Sequence, residues 1–294
     1  MSDSQASLRR KISSAKELQS VVRTMKALAA SSVGQYENSV RALVDYTRTV
    51  ELGLGACFRK NPATILGVAE EKAKVADAYG VIVFGSDQGL VGQFNDVIAD
   101  YVLQTLADLP GQAQVWAVGE RVHDRLAVAG LPILGLFAVP NSVQAIAPLV
   151  GQIQIDSETH RSQSGYTRLY VFHHRPQTGS LYEPSSQRLL PLDLAWQQRM
   201  ASIPWLSKNL PETLCGGTAT LRSLIREYLF ISLFQACAES LASENASRLA
   251  AMERAEKNID ELLENLHGTF HRLRQSSIDE ELFDVIAGYE SLAK

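Results

Sequence analysis

The distribution of proline divides this 294-residue chain into three parts. All ten prolines lie between Pro62 and Pro211. A proline inside a helix removes a hydrogen bond and clashes with the preceding turn, at a cost of about 3 kcal/mol or more. The two flanks can therefore each form one continuous helix, and we predict a different kind of structure between them.

The N-terminal flank has an apolar residue at every seventh position, a repeat typical of a helix that packs along another helix. The members of this repeat are Leu8, Ala15, Val22, Ala29, Tyr36, Leu43 and Val50. The companion position of the heptad is apolar at Ile12, Val33, Val40 and Leu54 but polar at Gln19, Lys26 and Thr47. A helix from about Ser4 to Gly53 would be roughly 75 Å long, longer than a small globular core requires.

The C-terminal flank shows a similar stripe, with apolar residues three and four positions apart. Its main part consists of Met252, Ala255, Ile259, Leu262, Leu266, Phe270 and Leu273. We expect the stripe to begin at Leu221, Leu224, Tyr228 and Ile231 and to continue through Ile278, Leu282, Val285, Tyr289 and Leu292. Gly268 and Gly288 interrupt it, but one glycine costs only about 1 kcal/mol relative to alanine in a helix.

The two flanks carry opposite charge. Residues 1–61 contain ten basic and five acidic residues, whereas the C-terminal flank has an acidic cluster of Glu253, Glu256, Asp260, Glu261 and Glu264. Complementary charge favours register and partner choice, so the two helices are predicted to pair as an antiparallel coiled coil. The alternative, that each charged face is merely solvated, stays open on this argument alone.

Between the flanks, strand and helix patterns alternate, which predicts a Rossmann-like, mostly parallel α/β domain inserted in the coiled coil. We place the first part at 1–58, the α/β domain at 75–205 and the last part at 212–294. The predicted strands are 79–84, 113–119, 131–139 and 167–174, with an additional edge strand at 181–192. The predicted helices between them are 91–109, 120–129 and 142–161.

The first strand is followed by GSDQGLVGQFN, residues 85–95, which has neither the lysine of a phosphate loop nor the Rossmann glycine spacing. We interpret it as a strand-to-helix turn capped by Ser86 or Asp87. Nucleotide binding at this turn, or a hydrolase using Ser86, is a minor alternative. We expect no catalytic residue and no cofactor.

Histidine pairs suggest metal binding only superficially. His267 and His271 could share a helix face, but the glutamate of a zinc-binding HExxH motif is missing between them. His173 and His174 are neighbours on a strand and should point to opposite faces. We predict no metal site from either pair.

Composition limits the remaining classes. The formal net charge of −4 is too small for binding nucleic acid through bulk charge. Cys57, Cys215 and Cys237 lack the spacing of zinc or redox motifs, so unpaired thiols in a reducing compartment are expected. Without an apolar run of about 18 residues or a secretory signal pattern, the chain is expected to be cytosolic or peripheral to a membrane.

Three blocks of sequence together resemble the gamma subunit, or central shaft, of F-type rotary ATP synthases. LRRKISSAKELQSVVRTMKALAASSV is similar to the family's first helix, and GSDQGLVGQFN is similar to its SDxGLCGxxN loop. ESLASENASRLAAMERAEKNIDELLENL and RLRQSSIDEELFDVIAGYESL are similar to its last helix.

The resemblance implies a non-catalytic rotor that couples ion flow through a membrane ring to ATP synthesis or hydrolysis in a catalytic head. Its implied partners are the alpha and beta subunits of the head, an epsilon-type accessory subunit and the membrane c-ring. The implied location is the cytoplasmic face of a membrane, within a membrane-bound complex.

Individual residues follow from the same resemblance. Met25, Lys26, Arg274 and Gln275 are expected to contact the stator ring of the head, although Met25 is alternatively a core residue of the heptad. Contacts with the membrane ring or accessory subunit are expected from Ser86, Asp87, Gly89, Leu90 and Asn95. Two other functions stay open: a non-rotary coiled-coil adaptor, and an α/β enzyme with helical extensions.

Overall fold

A computed structural model of the chain describes residues 4–60, 78–164, 166–177, 180–205, 207, 209, 211–212 and 217–292. The predicted boundary at 75, Cys215 and the last two residues of the chain lie outside these ranges. The proposed division at 58, 75, 205 and 212 therefore stays a prediction.

The chain order of the elements begins with α1 (Gln5–Lys60), β1 (Ala78–Phe84), α2 (Phe94–Ala107), β2 (Gln112–Val118), α3 (Glu120–Val128) and β3 (Ile133–Phe137). It continues with a 3-10 turn (Val143–Ala145), α4 (Ile146–Ser164), β4 (Leu169–Gln177), β5 (Ser180–Leu190), α5 (Leu194–Ser202) and α6 (Gly217–Leu292). The long terminal helices and the alternating centre are thus confirmed, and α5 is an additional helix that we did not predict.

Contacts between residues group the chain into two compact units, 1–29 with 248–294, and 30–247. The first unit consists of paired segments of α1 and α6. Ile12 and Ala15 pack against Leu263, and Arg9 lies over the Phe270 ring, 5.4 Å from its centroid. Since residues early in α1 meet residues late in α6, the two helices run antiparallel in this unit, as predicted.

In the main part of the predicted C-terminal stripe, from Met252 to Leu273, one position is wrong. Leu262 is 48% exposed, whereas its neighbour Leu263 is 9% exposed and faces α1. A straight α-helix turns relative to a strict seven-residue repeat, so the residue that faces the partner changes along the helix.

The second unit contains a five-stranded sheet in the order β3-β2-β1-β4-β5. The first four strands are parallel and β5 pairs antiparallel with β4, which confirms a mostly parallel sheet with an added edge strand. One face is covered by α2 and α3, through residues such as Ile98 and Val122. The other face packs on α4 and on the terminal helices, where Tyr36 and Leu233 join the core.

A separate core joins the end of α1 to the start of α6 in the same unit. Phe58 of α1 and Trp196 of α5 make an edge-to-face ring contact at 5.6 Å, and Leu221 of α6 is buried beside them. Burial of a large apolar side chain contributes about 1.5–3 kcal/mol. The short helix α5 therefore holds the two long helices together at this end of the unit.

Both edge strands of the sheet are irregular. Strand β3 has only five residues, with Pro132 before it and Pro140 shortly after it. Its register with β2 shifts between Val115 and Trp116, where Leu134 is the extra residue of a bulge. On the opposite edge, β5 contains Pro184, which has no backbone N–H to donate.

Candidate functional site

Lys26, one of the predicted contact residues, is held by the partner helix of its own chain. Its Nζ lies 2.9 Å from Glu256 Oε2, and Arg23 Nε lies 2.8 Å from Glu256 Oε1. The hydrogen bond with Lys26 lowers the pKa of the Glu256 carboxyl, and the same bond raises the pKa of the Lys26 amine. These partly exposed pairs add little stability, but they fix the direction of the Lys26 side chain.

The polar interruptions of the heptad repeat therefore have a structural role. Gln19 donates a hydrogen bond to Asp260 Oδ1, and Lys26 pairs with Glu256, so both polar positions face the acidic cluster of α6. This observation confirms that the opposite charges of the flanks meet within the first unit. Met25, next to Lys26 in the chain, is half-buried. Its contact with a stator ring stays a prediction.

Arg274 and Gln275 are exposed on α6, close after the contact between Arg9 and Phe270. Helix α6 then continues with a row of large apolar side chains that are 45–70% exposed: Ile278, Leu282, Phe283, Val285 and Ile286. We expected Ile278, Leu282 and Val285 to extend the packed stripe, and that expectation is wrong for the chain by itself. A row of exposed apolar side chains is typical of an interaction surface.

The loop at residues 85–95 is held by hydrogen bonds within itself. Ser86 N donates to Asn95 Oδ1 at 3.0 Å, and Asn95 Nδ2 donates to Ser86 Oγ at 2.8 Å. The Ser86 hydroxyl also donates to Gln88 O. Both residues are buried, so they shape the loop and do not present a surface to a partner.

Asp87 connects three neighbouring segments at the carboxyl ends of the strands. Its Oδ1 accepts from Glu120 N at the start of α3, and its Oδ2 accepts from Val139 N after β3. Our prediction that Ser86 or Asp87 caps the next helix is wrong, because α2 begins after Gln93 with no side-chain cap. Asp87 instead caps α3, which follows the adjacent strand.

The tip of the loop is the part that a partner could contact. Leu90 is 61% exposed and has a positive φ of 62°, which is uncommon for a residue with a side chain. Gly89 beside it is half-buried. Of the five residues predicted to contact the membrane ring or accessory subunit, Gly89 and Leu90 form this tip, while Ser86, Asp87 and Asn95 support it.

A buried polar cluster that we did not predict joins β4 to α6. Glu239 Oε2 accepts from His173 Nε2 at 2.8 Å and from Arg175 Nε at 3.2 Å, and Glu239 Oε1 accepts from Gln235 Nε2 at 2.7 Å. Burial raises the pKa of the Glu239 carboxyl, but the hydrogen bonds from His173 and Gln235 outweigh burial and lower that pKa overall. Glu239 is therefore a buried carboxylate with three donors.

His174 points to the opposite face of β4, as predicted for adjacent strand residues. Its Nε2 donates to Phe94 O at 2.8 Å, and its ring lies 4.3 Å from the Phe94 ring. Burial lowers the pKa of His174 to about 4, so the side chain is neutral at neutral pH. The histidine joins β4 to the start of α2.

Serines of α6 extend this buried polar cluster toward the loop at residues 85–95. Ser243 Oγ donates to His174 O at 3.3 Å, and Ser247 Oγ donates to Val91 O at 2.6 Å. The run ESLASENAS, residues 239–247, was the available sequence signal, because it places polar residues on a helix face that also carries buried alanines and leucine. The loop is thus anchored to α6 at Ser247.

The described residues offer little support for a metal site or a membrane-spanning helix. The rings of His267 and His271 stack with centroids 6.4 Å apart on α6. Among the residues that the structure describes, no group of three histidine, cysteine or acidic side chains could hold a metal ion. Within the same residues, no helix combines the length and apolar character needed to span a bilayer.

Comparison of the sequence with known proteins finds a matching family model and a relative of nearly the same length. A family model described as ATP synthase matches residues 4–292. The ATP synthase gamma chain of Moorella thermoacetica is 26% identical over 292 residues, which cover 97% of this chain and 98% of that protein.

Solved structures share the fold. The rotor of the Euglena gracilis mitochondrial ATP synthase in rotational state 1 has a TM-score of 0.60 at 18% identity, covering 93% of this chain and 98% of that chain. The central stalk and c-ring structure from Tetrahymena thermophila has a TM-score of 0.54 at 19% identity, covering 80% and 99%.

Proposed function

Because this chain belongs to the ATP synthase family by a match across residues 4–292, we propose that it acts as the gamma subunit, the central rotor shaft of an F-type ATP synthase. The match across nearly the whole chain is the observation that carries this proposal. The subunit is non-catalytic and forms part of a membrane-bound complex, in which it contacts the alpha and beta subunits of the head and the rotor ring.

The paired helices suit this role for a mechanical reason. Torque transfer needs a stiff element, and two helices held by an apolar seam and by the contacts of Gln19 and Lys26 resist bending better than one helix alone. An off-centre shaft presses differently on each of three catalytic subunits at every angle. It therefore acts as an effector with different affinity for their conformations, which is sufficient to bias them between open and closed states.

Arg274 and Gln275 are proposed to contact the stator ring, together with Met25 and Lys26. The exposure of Arg274 and Gln275 supports this assignment. The exposed apolar side chains farther along α6 provide a surface for the same ring, since they have to be covered in the assembled complex. The ion pair with Glu256 holds the Lys26 side chain. Met25 beside it therefore has more freedom than Lys26 to contact another subunit.

A tagged copy of the chain should purify with the alpha and beta subunits. The double change Arg274→Ala with Gln275→Ala should keep this assembly but weaken the coupling between ATP hydrolysis and ion pumping. Interface arginines often contribute more than other contact residues, so we expect ATP-driven ion pumping per ATP hydrolysed to fall roughly threefold. The measurement compares pumping and hydrolysis in reconstituted vesicles.

The matched control is Arg10→Ala with Lys16→Ala, which removes two exposed basic side chains of α1. Unchanged coupling in the Arg274 and Gln275 variant would overturn the contact assignment. A stable homodimer without ATPase subunits would indicate the adaptor function, and substrate turnover by the chain alone would indicate an enzyme.

We also propose that the loop tip at Gly89 and Leu90 contacts the accessory subunit or the membrane ring. Ser247, which donates a hydrogen bond to Val91 O of the loop, lies well inside α6. It is far from Gly217, where that helix begins. We place the ring where α1 ends and α6 begins, so this anchoring favours the accessory subunit over the ring.

A cysteine crosslinker placed at Leu90 by the change Leu90→Cys should join the loop to the accessory subunit in the purified complex. The side chain is exposed and its contacts are not needed for the loop's internal hydrogen bonds, so the fold should be retained. A cysteine at exposed Val128 serves as a control for random labelling. Crosslinks from Leu90 only to the catalytic head would contradict the placement.

The cytoplasmic face of the membrane is the location that we propose for the complex. Cys57 and Cys237 are free in the structure, which agrees with a reducing compartment. Protease accessibility in inverted and right-side-out membrane vesicles would test the location, and protection in inverted vesicles would contradict it.

A further inference from the structure

A cleft of about 880 Å³ lies between α4 and the first part of α6. Its floor consists of side chains of the sheet and of α6 that are at most 5% exposed: Leu169, Leu189 and Leu233. Ile155 of α4, which is 62% exposed, stands at one wall, and Phe230 of α6 at the other. The surface inside the cleft is therefore largely apolar and open.

The rim of the cleft is basic. Arg161 of α4 and Arg222 and Arg226 of α6 line it, whereas Glu158 is its one carboxylate among the described residues. None of these three arginines forms an ion pair with a described residue, and all three are exposed. A rim with three guanidinium groups and one carboxylate attracts an anionic partner.

We propose that this cleft binds an amphipathic α-helix of a neighbouring subunit that carries carboxylate side chains beside its apolar face. The apolar face would cover Ile155 and Phe230, and the carboxylates would pair with Arg222 and Arg226. These two arginines are four residues apart on one helix face, a spacing that carboxylates one helical turn apart on the partner can match.

The dimensions of the cleft favour a helix as its occupant. Residues 151–161 of α4 and 222–233 of α6 form its two walls, each about 15 Å long at the rise of an α-helix. Walls of this length accommodate about three turns of a third helix, the usual helix-in-groove arrangement. A methyl group added at Gly151, at one end of the α4 wall, would meet nothing within 4 Å, so the groove has room there for a partner side chain.

The test is photo-crosslinking in the purified complex, with p-benzoylphenylalanine in place of Ile155. The expected product is a crosslink to a segment of another subunit with helical apolar spacing and flanking Asp or Glu, identified by mass spectrometry. Changing Arg222→Glu with Arg226→Glu should lower its yield roughly tenfold, because like charges then face each other. The control Arg48→Glu with Lys60→Glu makes the same change in net charge elsewhere in the unit and should leave the yield unchanged.

A steric variant tests the cleft independently of charge. Gly151→Trp fills the groove and removes a glycine from a helix, so the chain should still fold while the crosslink is lost. Crosslinks to lipid, to this chain alone or to a segment without acidic residues would overturn the proposal, and so would a yield insensitive to both changes. The inference rests on the proposed function only for the identity of the complex, which the co-purification experiment tests separately.

Discussion

Replacing Gly119 by alanine is expected to destabilise the α/β unit by roughly 3–5 kcal/mol. Gly119 has a φ of +112°, where residues with side chains are rarely found, and an added Cβ would lie 2.8 Å from the backbone N, C and O of Ser86. The Ser86 backbone cannot move without disturbing the bonds of Asp87 to Glu120 and Val139. The loop at 85–95 should therefore lose its fixed shape.

Gly130→Ala is the matched control, because Gly130 also has a positive φ, +82°, but its added Cβ would meet nothing within 4 Å. Backbone strain alone should cost about 1–2 kcal/mol there. Amide hydrogen exchange of β1, β2 and the loop gives the local opening free energy for both variants. Equal losses for the two would show that the close approach to Ser86 has no energetic consequence.

Replacing Glu239 by alanine should cost the same unit about 2–4 kcal/mol. The change leaves the His173 Nε2 donor buried without its acceptor and frees Arg175, which is half-exposed and can reach water. Most of the loss should therefore come from His173. Urea denaturation of the full chain, read through hydrogen exchange of β4, measures the effect.

The pH dependence gives Glu239 a signature that ordinary packing lacks. Its pKa is lowered in the folded chain, so the carboxylate contributes stability above the ordinary glutamate pKa of about 4.3. That contribution is lost as pH falls through the lowered pKa. The stability difference between parent and Glu239→Ala should thus shrink in acid, whereas a purely steric defect would keep it constant.

Glu239→Gln is the conservative comparison. It keeps the volume and one acceptor oxygen but removes the negative charge, so we expect about half of the alanine loss. If glutamine destabilises the unit as much as alanine, the charge is the whole contribution. If neither change has an effect, the cluster does not hold β4 to α6.

The sequence predicted the elements well where a single periodicity decides burial. Proline placement gave the two long helices, and Leu8, Ala15, Ala29 and Tyr36 of the heptad repeat are all buried. The repeat also identified Gln19 and Lys26 as mismatches. It could not show that acidic residues of α6 bind them, since that depends on the register between two distant segments.

Other features depended on information that local patterns lack. His173 and Glu239 are 66 residues apart in the chain, so neither residue signals the other. The apolar residues from Ile278 to Ile286 have helical spacing, but spacing alone does not distinguish packing within a chain from packing against another subunit. Helix α5 lies between Pro191 and Pro204 and is short, which leaves little periodic signal.

The irregular edges of the sheet matter for copies of the chain that have not yet joined their complex. A strand edge with free N–H and C=O groups is a template for pairing with the same edge of another molecule, and this pairing leads to aggregates. The bulge and flanking prolines of β3 and Pro184 in β5 interrupt that template on both sides. Surplus subunits should consequently stay dispersed while they await assembly.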